Sequence, residues 1–178
     1  MVKIAIIQYS LYGHVSTLSE SIAKGAREAG AEVDIFQVAE TLPDGVLEKM
    51  HAPPKPNYPI MTAEKMPEYD GFLFGMSGRY GSFPAQMKTF MDSTGSLWMN
   101  GALVGKAAGT FVSVGTQGGG QETVGLSAIP YFTHMGKFFG CNSFFIPCCV
   151  NAYYYHYASI SRHGLCTPWI CRAKGFYL

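Results

Sequence analysis

An apolar strand pattern that breaks into a polar, glycine-containing loop opens the chain and constrains its fold most. Residues 2–7 are mostly apolar, residues 8–17 read QYSLYGHVST, and apolar side chains then recur at helical spacing from Val15 to Ala29. A helix that follows a buried strand offers unpaired N–H groups and the positive end of its dipole to an anion. The stretch predicts a phosphate-binding loop, with a simple capped helix start as the alternative.

The rest of the chain alternates strand and helix patterns, as in an α/β protein with a parallel sheet. Residues 40–67 contain six prolines and are predicted to form an irregular surface excursion with a short helix near 45–50. Further strands are predicted at 31–38, 70–76 and 107–114, and further helices from 84 to 98 and from about 121 to 134.

Two more predicted strands end in loops rich in glycine and hydroxyl residues, at 77–82 and 115–120. In an open parallel sheet, ligands bind at the carboxyl ends of the strands, so three such loops predict one ligand site. Residues 115–120 do not form a dinucleotide-binding G-x-G-x-x-G, and Gly105-Lys106 is followed by Ala107, which excludes a Walker A loop.

Composition excludes several classes of function. The chain has 178 residues, enough for one sizeable core, and its net charge of +1 offers no basic surface for nucleic acid. No apolar run reaches the roughly 18–20 residues of a transmembrane helix. The first residues lack the layout of a signal peptide, which favours the cytoplasm, and all five cysteines lie between Cys141 and Cys171 and are read as thiols.

The sequence shows no convincing set of nucleophile, base and orienting residue, and no metal-ligand spacing before Cys141. A phosphate loop without acid–base machinery suggests that a bound cofactor carries the chemistry.

Five blocks in the same order resemble the WrbA-type NAD(P)H:quinone oxidoreductases, which are FMN enzymes. The blocks are SLYGH at 10–14, RYG at 79–81, TGSLW at 94–98, GTQGGGQE at 115–122 and His134. The similarity covers residues 1–136 and implies a flavodoxin-like three-layer α/β sandwich with a parallel sheet of order 2-1-3-4-5. Where the family usually carries Pro-Thr, this chain has Ser77-Gly78.

The resemblance also implies site residues, with FMN as cofactor and no metal. The FMN phosphate would be held by Ser10, Leu11, Tyr12, Gly13, His14 and Val15. The isoalloxazine would be lined by Gly78, Arg79 and Tyr80, and wrapped on its other side by Ser113, Val114, Gly115, Thr116, Gln117, Gly118 and Gly119, with His134 at its edge. Tyr12 would contact NADH or NADPH, and Trp98 would cover the quinone cleft at a subunit interface of a homodimer or homotetramer.

The implied mechanism is ping-pong: NAD(P)H passes a hydride to N5 of the flavin and leaves, and a quinone then takes two electrons in the same place. Two alternatives are an electron-transfer flavoprotein of flavodoxin type and a non-catalytic truncated or splice variant. Rapid NADH-to-quinone turnover favours the enzyme, and a protein that ignores added FMN favours the variant.

Residues 137–178 form a second, atypical region rich in cysteine and aromatic residues. The family would continue there with a final strand, a loop and a closing helix, so those two elements are in doubt, although residues 144–146 could pass for a strand. One hypothesis is an aberrant reading frame or retained intron, which sequencing the transcript across Gly136 would test. The alternative is a divergent tail with potential metal ligands at Cys148, Cys149, His156, His163, Cys166 and Cys171.

Overall fold

A parallel five-stranded sheet forms the centre of the molecule in the computed structural model, which describes residues 1–136 and the strand at 146–147. The strands are β1 (Lys3–Gln8), β2 (Glu32–Gln37), β3 (Gly71–Ser77), β4 (Ala107–Ser113) and β5 (Ile146–Pro147). Their order is β2-β1-β3-β4-β5, which confirms the predicted flavodoxin-like topology.

Helices cover both faces of the sheet and complete the three predicted layers. The helices are α1 (His14–Glu28), α2 (Asp44–Lys49), α3 (Ala85–Asp92), α4 (Gly95–Met99) and α5 (Gln121–His134). On one face, α1 buries Val15 and Ala23 against Ile6 and Phe111. On the other face, the apolar sides of α3, α4 and α5 pack on β3 and β4 around Phe74.

The helix predicted from 84 to 98 is interrupted, and its last part forms the separate helix α4. The Ser93 hydroxyl donates to the Phe90 carbonyl at 2.6 Å, and the Thr94 hydroxyl donates to the Met91 carbonyl at 2.6 Å. Hydroxyl side chains that bond to nearby carbonyls compete with the regular helical ladder. They provide a local reason for the break after Asp92.

The excursion between β2 and β3 is more ordered than its prolines suggested. It contains α2 and a 3₁₀ helix at Ala63–Glu68 that the sequence did not predict. Ile60 also forms an isolated parallel bridge with Gln37 at the end of β2. The segment is therefore attached to the sheet edge as well as folded on itself.

Only one short element is described beyond Gly136. Strand β5 pairs with β4 through Ile146–Phe111 and Pro147–Val112. The doubtful closing helix and the potential metal ligands of the tail lie outside the described residues. Within residues 1–136, no helix has both the length and the apolar character needed to cross a bilayer.

Candidate active site

The carboxyl ends of β1, β3 and β4 lie side by side. The Tyr9 N–H donates to the Gly75 carbonyl at 3.0 Å, which joins the ends of β1 and β3. The Gly78 N–H donates to the Ser113 carbonyl at 2.8 Å, which joins the ends of β3 and β4. The three predicted loops therefore begin at one edge of the sheet, as the sequence indicated.

The first loop, residues 10–13, leads directly into α1. Gly13 stands at the helix N-cap with φ 86°, a left-handed conformation that glycine adopts without strain. The Val15 N–H donates to the Ser10 hydroxyl oxygen at 3.2 Å. Leu11 and Val15 are predicted site residues whose side chains are buried in the core. Both residues can therefore serve a ligand only through their backbones.

The second loop makes a tight turn at residues 79–82. Arg79 and Ser82 exchange backbone hydrogen bonds of 2.7 and 3.0 Å, and Tyr80 and Gly81 between them have φ 51° and 78°. Of Tyr80 and Gly81, only Tyr80 carries a side chain, and its ring is fully exposed. The Arg79 guanidinium donates to the Gly78 carbonyl at 2.9 Å, which folds this cation back over its own loop.

The third loop packs against the second through glycines. A Cβ built on Gly120 would approach the Thr123 hydroxyl oxygen to 2.9 Å and the Gly81 Cα to 3.7 Å. A Cβ on Gly78 would come within 2.6 Å of a methyl of Val114. Ser113 and Val114 are buried, whereas the loop that follows them is exposed at Gly115, Thr116, Gln117, Gly118 and Gly119.

Tyr12 projects from the first loop and touches the excursion. Its hydroxyl donates to the Met50 carbonyl at 3.2 Å, and its side chain remains about half exposed at 47%. The phenol ring thus has one fixed end and remains accessible to solvent. This arrangement suits a flat ligand, because aromatic faces stack on planar rings.

A carboxylate that the sequence analysis missed lies next to these loops. Glu40 accepts hydrogen bonds from the Tyr9 hydroxyl at 3.1 Å, the Gln86 amide at 2.9 Å and the Lys55 ammonium. The Lys55 ammonium also lies 4.7 Å from the centre of the Tyr9 ring. We call Glu40, Tyr9, Lys55 and Gln86 the Glu40 cluster.

The Glu40 cluster fixes the protonation of its members. Burial opposes ionisation of Glu40, but hydrogen bonds from Lys55, the Leu42 and Thr41 N–H groups and Gln86 outweigh it and lower the pKa to about 2. Burial, followed by the charge of Glu40, raises the pKa of Tyr9 well above its usual value. Glu40 is therefore an anion and Tyr9 a neutral hydrogen-bond donor near neutral pH.

The structure does not bring Trp98 or His134 to the loops of the same chain. Helix α5 begins after Gly120 and runs for 14 residues to His134, a length of about 20 Å. The Gly105 N–H donates to the Gly136 carbonyl at 2.9 Å, which places the end of α5 near the start of β4. Trp98, on α4 before that same turn, is 57% exposed. Within one chain His134 thus lies at the end of α5 far from the loops, and its place at the flavin edge stays a prediction.

The edge of the sheet has a feature that fits a flavin. Within residues 1–136, two buried side-chain hydroxyls lack a hydrogen-bond partner, those of Ser77 and Thr110. Ser77 ends β3 at the loops, whereas Thr110 lies within β4. A buried hydroxyl without a partner is costly, and a ring heteroatom at this edge would satisfy Ser77. The residues present therefore fit FMN, although Gly78 replaces the hydroxyl that the family usually offers.

The loops are evident in the sequence, but the residues that support them are not. Gln86 is 6% exposed on a helix face otherwise occupied by apolar residues, a signal that a buried polar partner exists. Glu40 and Lys55 gave no comparable signal, because surface excursions commonly contain charged residues. Among the described residues, no group of three or more His, Cys, Asp or Glu side chains could hold a metal ion.

Fold and site together define a flavoprotein of the flavodoxin-like class, and comparisons with known proteins specify it further. The NADPH-dependent FMN reductase family matches residues 2–146. The chain is 53% identical over 137 residues to NAD(P)H quinone oxidoreductase PST3 of Candida albicans, covering 77% of this chain and 69% of that protein. It is 55% identical over 135 residues to NAD(P)H quinone oxidoreductase YCP4 of the same organism, covering 75% and 47% respectively.

A solved structure supports the fold independently. The WrbA-like flavodoxin from Agrobacterium tumefaciens matches with a TM-score of 0.59 and 17% identity, covering 79% of this chain and 77% of that one. The chain belongs to the NADPH-dependent FMN reductase family. It is an oxidoreductase with FMN as cofactor and NADH or NADPH as co-substrate.

Proposed function

We propose that this chain reduces quinones by two electrons at the expense of NADH or NADPH, with FMN held at the carboxyl edge of the sheet. The observation that carries the proposal is the meeting of three strand-end loops beside the unpartnered Ser77 hydroxyl. When bound, FMN supplies the hydride acceptor and the two-electron donor of the reaction. The names of the two Candida relatives support quinones as the electron acceptors.

The first loop is the proposed phosphate site. The Ser10 oxygen accepts the Val15 N–H, so its own hydrogen can be donated to a phosphate oxygen. Unpaired N–H groups and the dipole at the N-terminus of α1 add favourable contacts for a dianion. Gly13 lets the backbone turn in front of the phosphate.

The other two loops hold the ring system. The Ser77 hydroxyl donates at one edge of the ring, and the exposed residues from Gly115 to Gly118 supply N–H groups on the other side, since the Gly119 N–H already donates to the Thr116 carbonyl. The exposed Tyr80 ring gives the second loop an aromatic wall. These groups orient the cofactor and exclude water from one of its faces.

Tyr12 is the proposed contact for both substrates. With its hydroxyl held by Met50, the ring keeps one orientation in which nicotinamide and quinone can stack in turn. Because nicotinamide and quinone would occupy the same position, they would bind in turn, which accounts for the proposed ping-pong order. Trp98 and His134 join this site only from a second copy of the chain, as an oligomer with a shared cleft would require.

Titration of the purified protein with FMN, followed by NADH or NADPH and benzoquinone, tests the proposal. We expect stoichiometric FMN binding and double-reciprocal rate plots that form parallel lines. Tyr12→Ala should raise KM for both substrates, whereas Tyr12→Phe keeps the ring and should change KM less. FMN binding without NAD(P)H oxidation would instead identify an electron carrier, and a protein that ignores FMN would identify a non-catalytic variant.

A further inference from the structure

Glu40 connects parts of the chain that are far apart in sequence but adjacent in the site. Tyr9 directly precedes the first loop, Gln86 follows the second loop in the first turn of α3, and Lys55 belongs to the excursion. All three donate hydrogen bonds to Glu40, which itself follows β2. One carboxylate therefore links the first two loops with the segment that contacts Tyr12.

The part of the excursion around α2 depends on such polar links, because its apolar side chains are only partly buried, unlike Met61 and Met66 closer to β3. Helix α2 has no fully buried residue. A cavity of about 480 Å³ lies between α2 and the chain around Lys55, and Glu40 is among its lining residues. Within the described residues, other polar attachments of the excursion are the Tyr12–Met50 and Tyr58–Glu20 hydrogen bonds and the bonds of Gln37 with Tyr58, Pro59 and Met61. The Glu40 cluster is the attachment that holds Lys55.

We propose that Glu40 is a positioning residue of the flavin site, which sets the spacing of the first two loops and holds the excursion against Tyr12. Glu40 side-chain exposure is 20% and that of Lys55 is 25%, so their ion pair is sheltered from solvent. Charge-assisted hydrogen bonds are shorter and stronger than neutral ones. The proposal rests on the proposed function, since it assigns Glu40 to the binding of FMN and of the substrate that stacks on Tyr12.

The two carboxylate oxygens of Glu40 have different partners, which allows a sharp substitution. Oε1 accepts from Thr41 N–H, Leu42 N–H and Gln86, and Oε2 accepts from Lys55. The Tyr9 hydroxyl lies within hydrogen-bond distance of both oxygens, at 3.3 Å from Oε1 and 3.1 Å from Oε2. Glu40→Gln can keep the Oε1 partners, and the Tyr9 hydroxyl, through its amide oxygen while it presents an NH₂ to Lys55. Lys55→Met removes the ammonium group of the Glu40–Lys55 ion pair and keeps an unbranched side chain of similar length.

The test measures the FMN dissociation constant of the apoprotein and, at saturating FMN, KM and kcat with NADPH and benzoquinone. Glu40→Gln and Lys55→Met should each weaken FMN binding about tenfold. They should also raise KM for benzoquinone while leaving kcat of the saturated enzyme within about twofold. The double variant should lose little more than either single one, because both remove the same link.

Glu48→Gln is the matched control, since it makes the same chemical change at an exposed position of α2. The proposal would be overturned if Glu40→Gln had the same FMN affinity and the same KM as Glu48→Gln. If Glu40→Gln does not fold, Lys55→Met and Tyr9→Phe provide the same comparison. Failure of the unsubstituted protein to bind FMN would instead overturn the proposed function, so the two failures are distinguishable.

Discussion

Single hydroxyl groups distinguish the site from the rest of the sheet. Ser77 and Thr110 both bury a hydroxyl without a partner among residues 1–136, but only Ser77 lies where the loops meet. A buried hydroxyl that lacks a hydrogen-bond partner in the free protein and gains one from a ligand favours ligand binding. We infer that Ser77 supports the flavin at some cost to the stability of the apoprotein.

Ser77→Ala should therefore have opposite effects on stability and binding. We expect the apoprotein to gain up to about 1 kcal/mol in free energy of unfolding, and FMN affinity to fall about three- to tenfold. Urea unfolding and a fluorescence titration with FMN measure the two effects. Thr110→Val is the control and should raise stability without changing FMN affinity; equal FMN affinity in both variants would contradict this role of Ser77.

Close packing of α1 on the sheet positions the phosphate loop. A Cβ on Gly75 would approach Phe111 to 2.4 Å and a methyl of Val15 to 2.8 Å. Gly75 thus lets the first turn of α1 lie directly on β3. This contact keeps the N-terminus of the helix at the edge of the sheet.

Gly75→Ala should destabilise the protein by about 2 kcal/mol, because the core has no room for the added methyl group. Gly25→Ala, in the exposed interior of α1 with no atom within 4 Å of the added Cβ, should instead stabilise it by about 0.5–1 kcal/mol. Denaturant unfolding of both variants measures the difference. A neutral Gly75→Ala would show that α1 is packed less tightly than described.

The Glu40 cluster predicts how the free energy of unfolding changes at acid pH. Because the pKa of Glu40 is lowered to about 2, its contribution to stability is complete above the unfolded value of about 4.3 and is lost as pH falls toward 2. Glu40→Gln should be less stable than the wild type at pH 7, and the gap should narrow by pH 3. Urea unfolding at both pH values tests this, and a gap that stays constant would contradict it.

Local patterns predicted the elements, but not the contacts between distant ones. Strand periodicity and the loops at 10–17, 77–82 and 115–120 were sufficient to predict the sheet and the edge at which the loops meet. The bonds of Glu40 to Tyr9 and Gln86 span 31 and 46 residues, so no local pattern reveals them. The break before α4 depends on whether two hydroxyls bond back to the helix, which composition alone does not decide.

At the scale of the whole molecule, a group of apolar side chains is exposed around the turn before β4. Trp98, Met99 and Val104 are 57%, 77% and 66% exposed, and they surround the turn that meets the end of α5. Neighbouring exposed apolar side chains are typical of protein interaction surfaces. The predicted homodimer or homotetramer would bury this surface and bring Trp98 and His134 to a neighbour's loops.

Paired substitution of Trp98→Ser and Val104→Ser should shift the protein toward monomers and raise KM for quinone. Light scattering coupled to size-exclusion chromatography gives the mass, and the quinone assay gives KM. Ile60→Ser, which removes a 52% exposed apolar residue beside β2, should leave the mass unchanged. A wild-type protein that is monomeric at assay concentration and fully active would rule out the shared cleft.

The proposed function requires that the three loops hold an FMN that receives electrons from NAD(P)H and passes them to a quinone. Anaerobic rapid mixing of the FMN-loaded protein with NADPH, followed by benzoquinone, tests it most directly. The flavin absorbance should bleach with NADPH alone and recover fully when benzoquinone is added. Flavin absorbance that remains unchanged in the presence of both NADPH and NADH would contradict it.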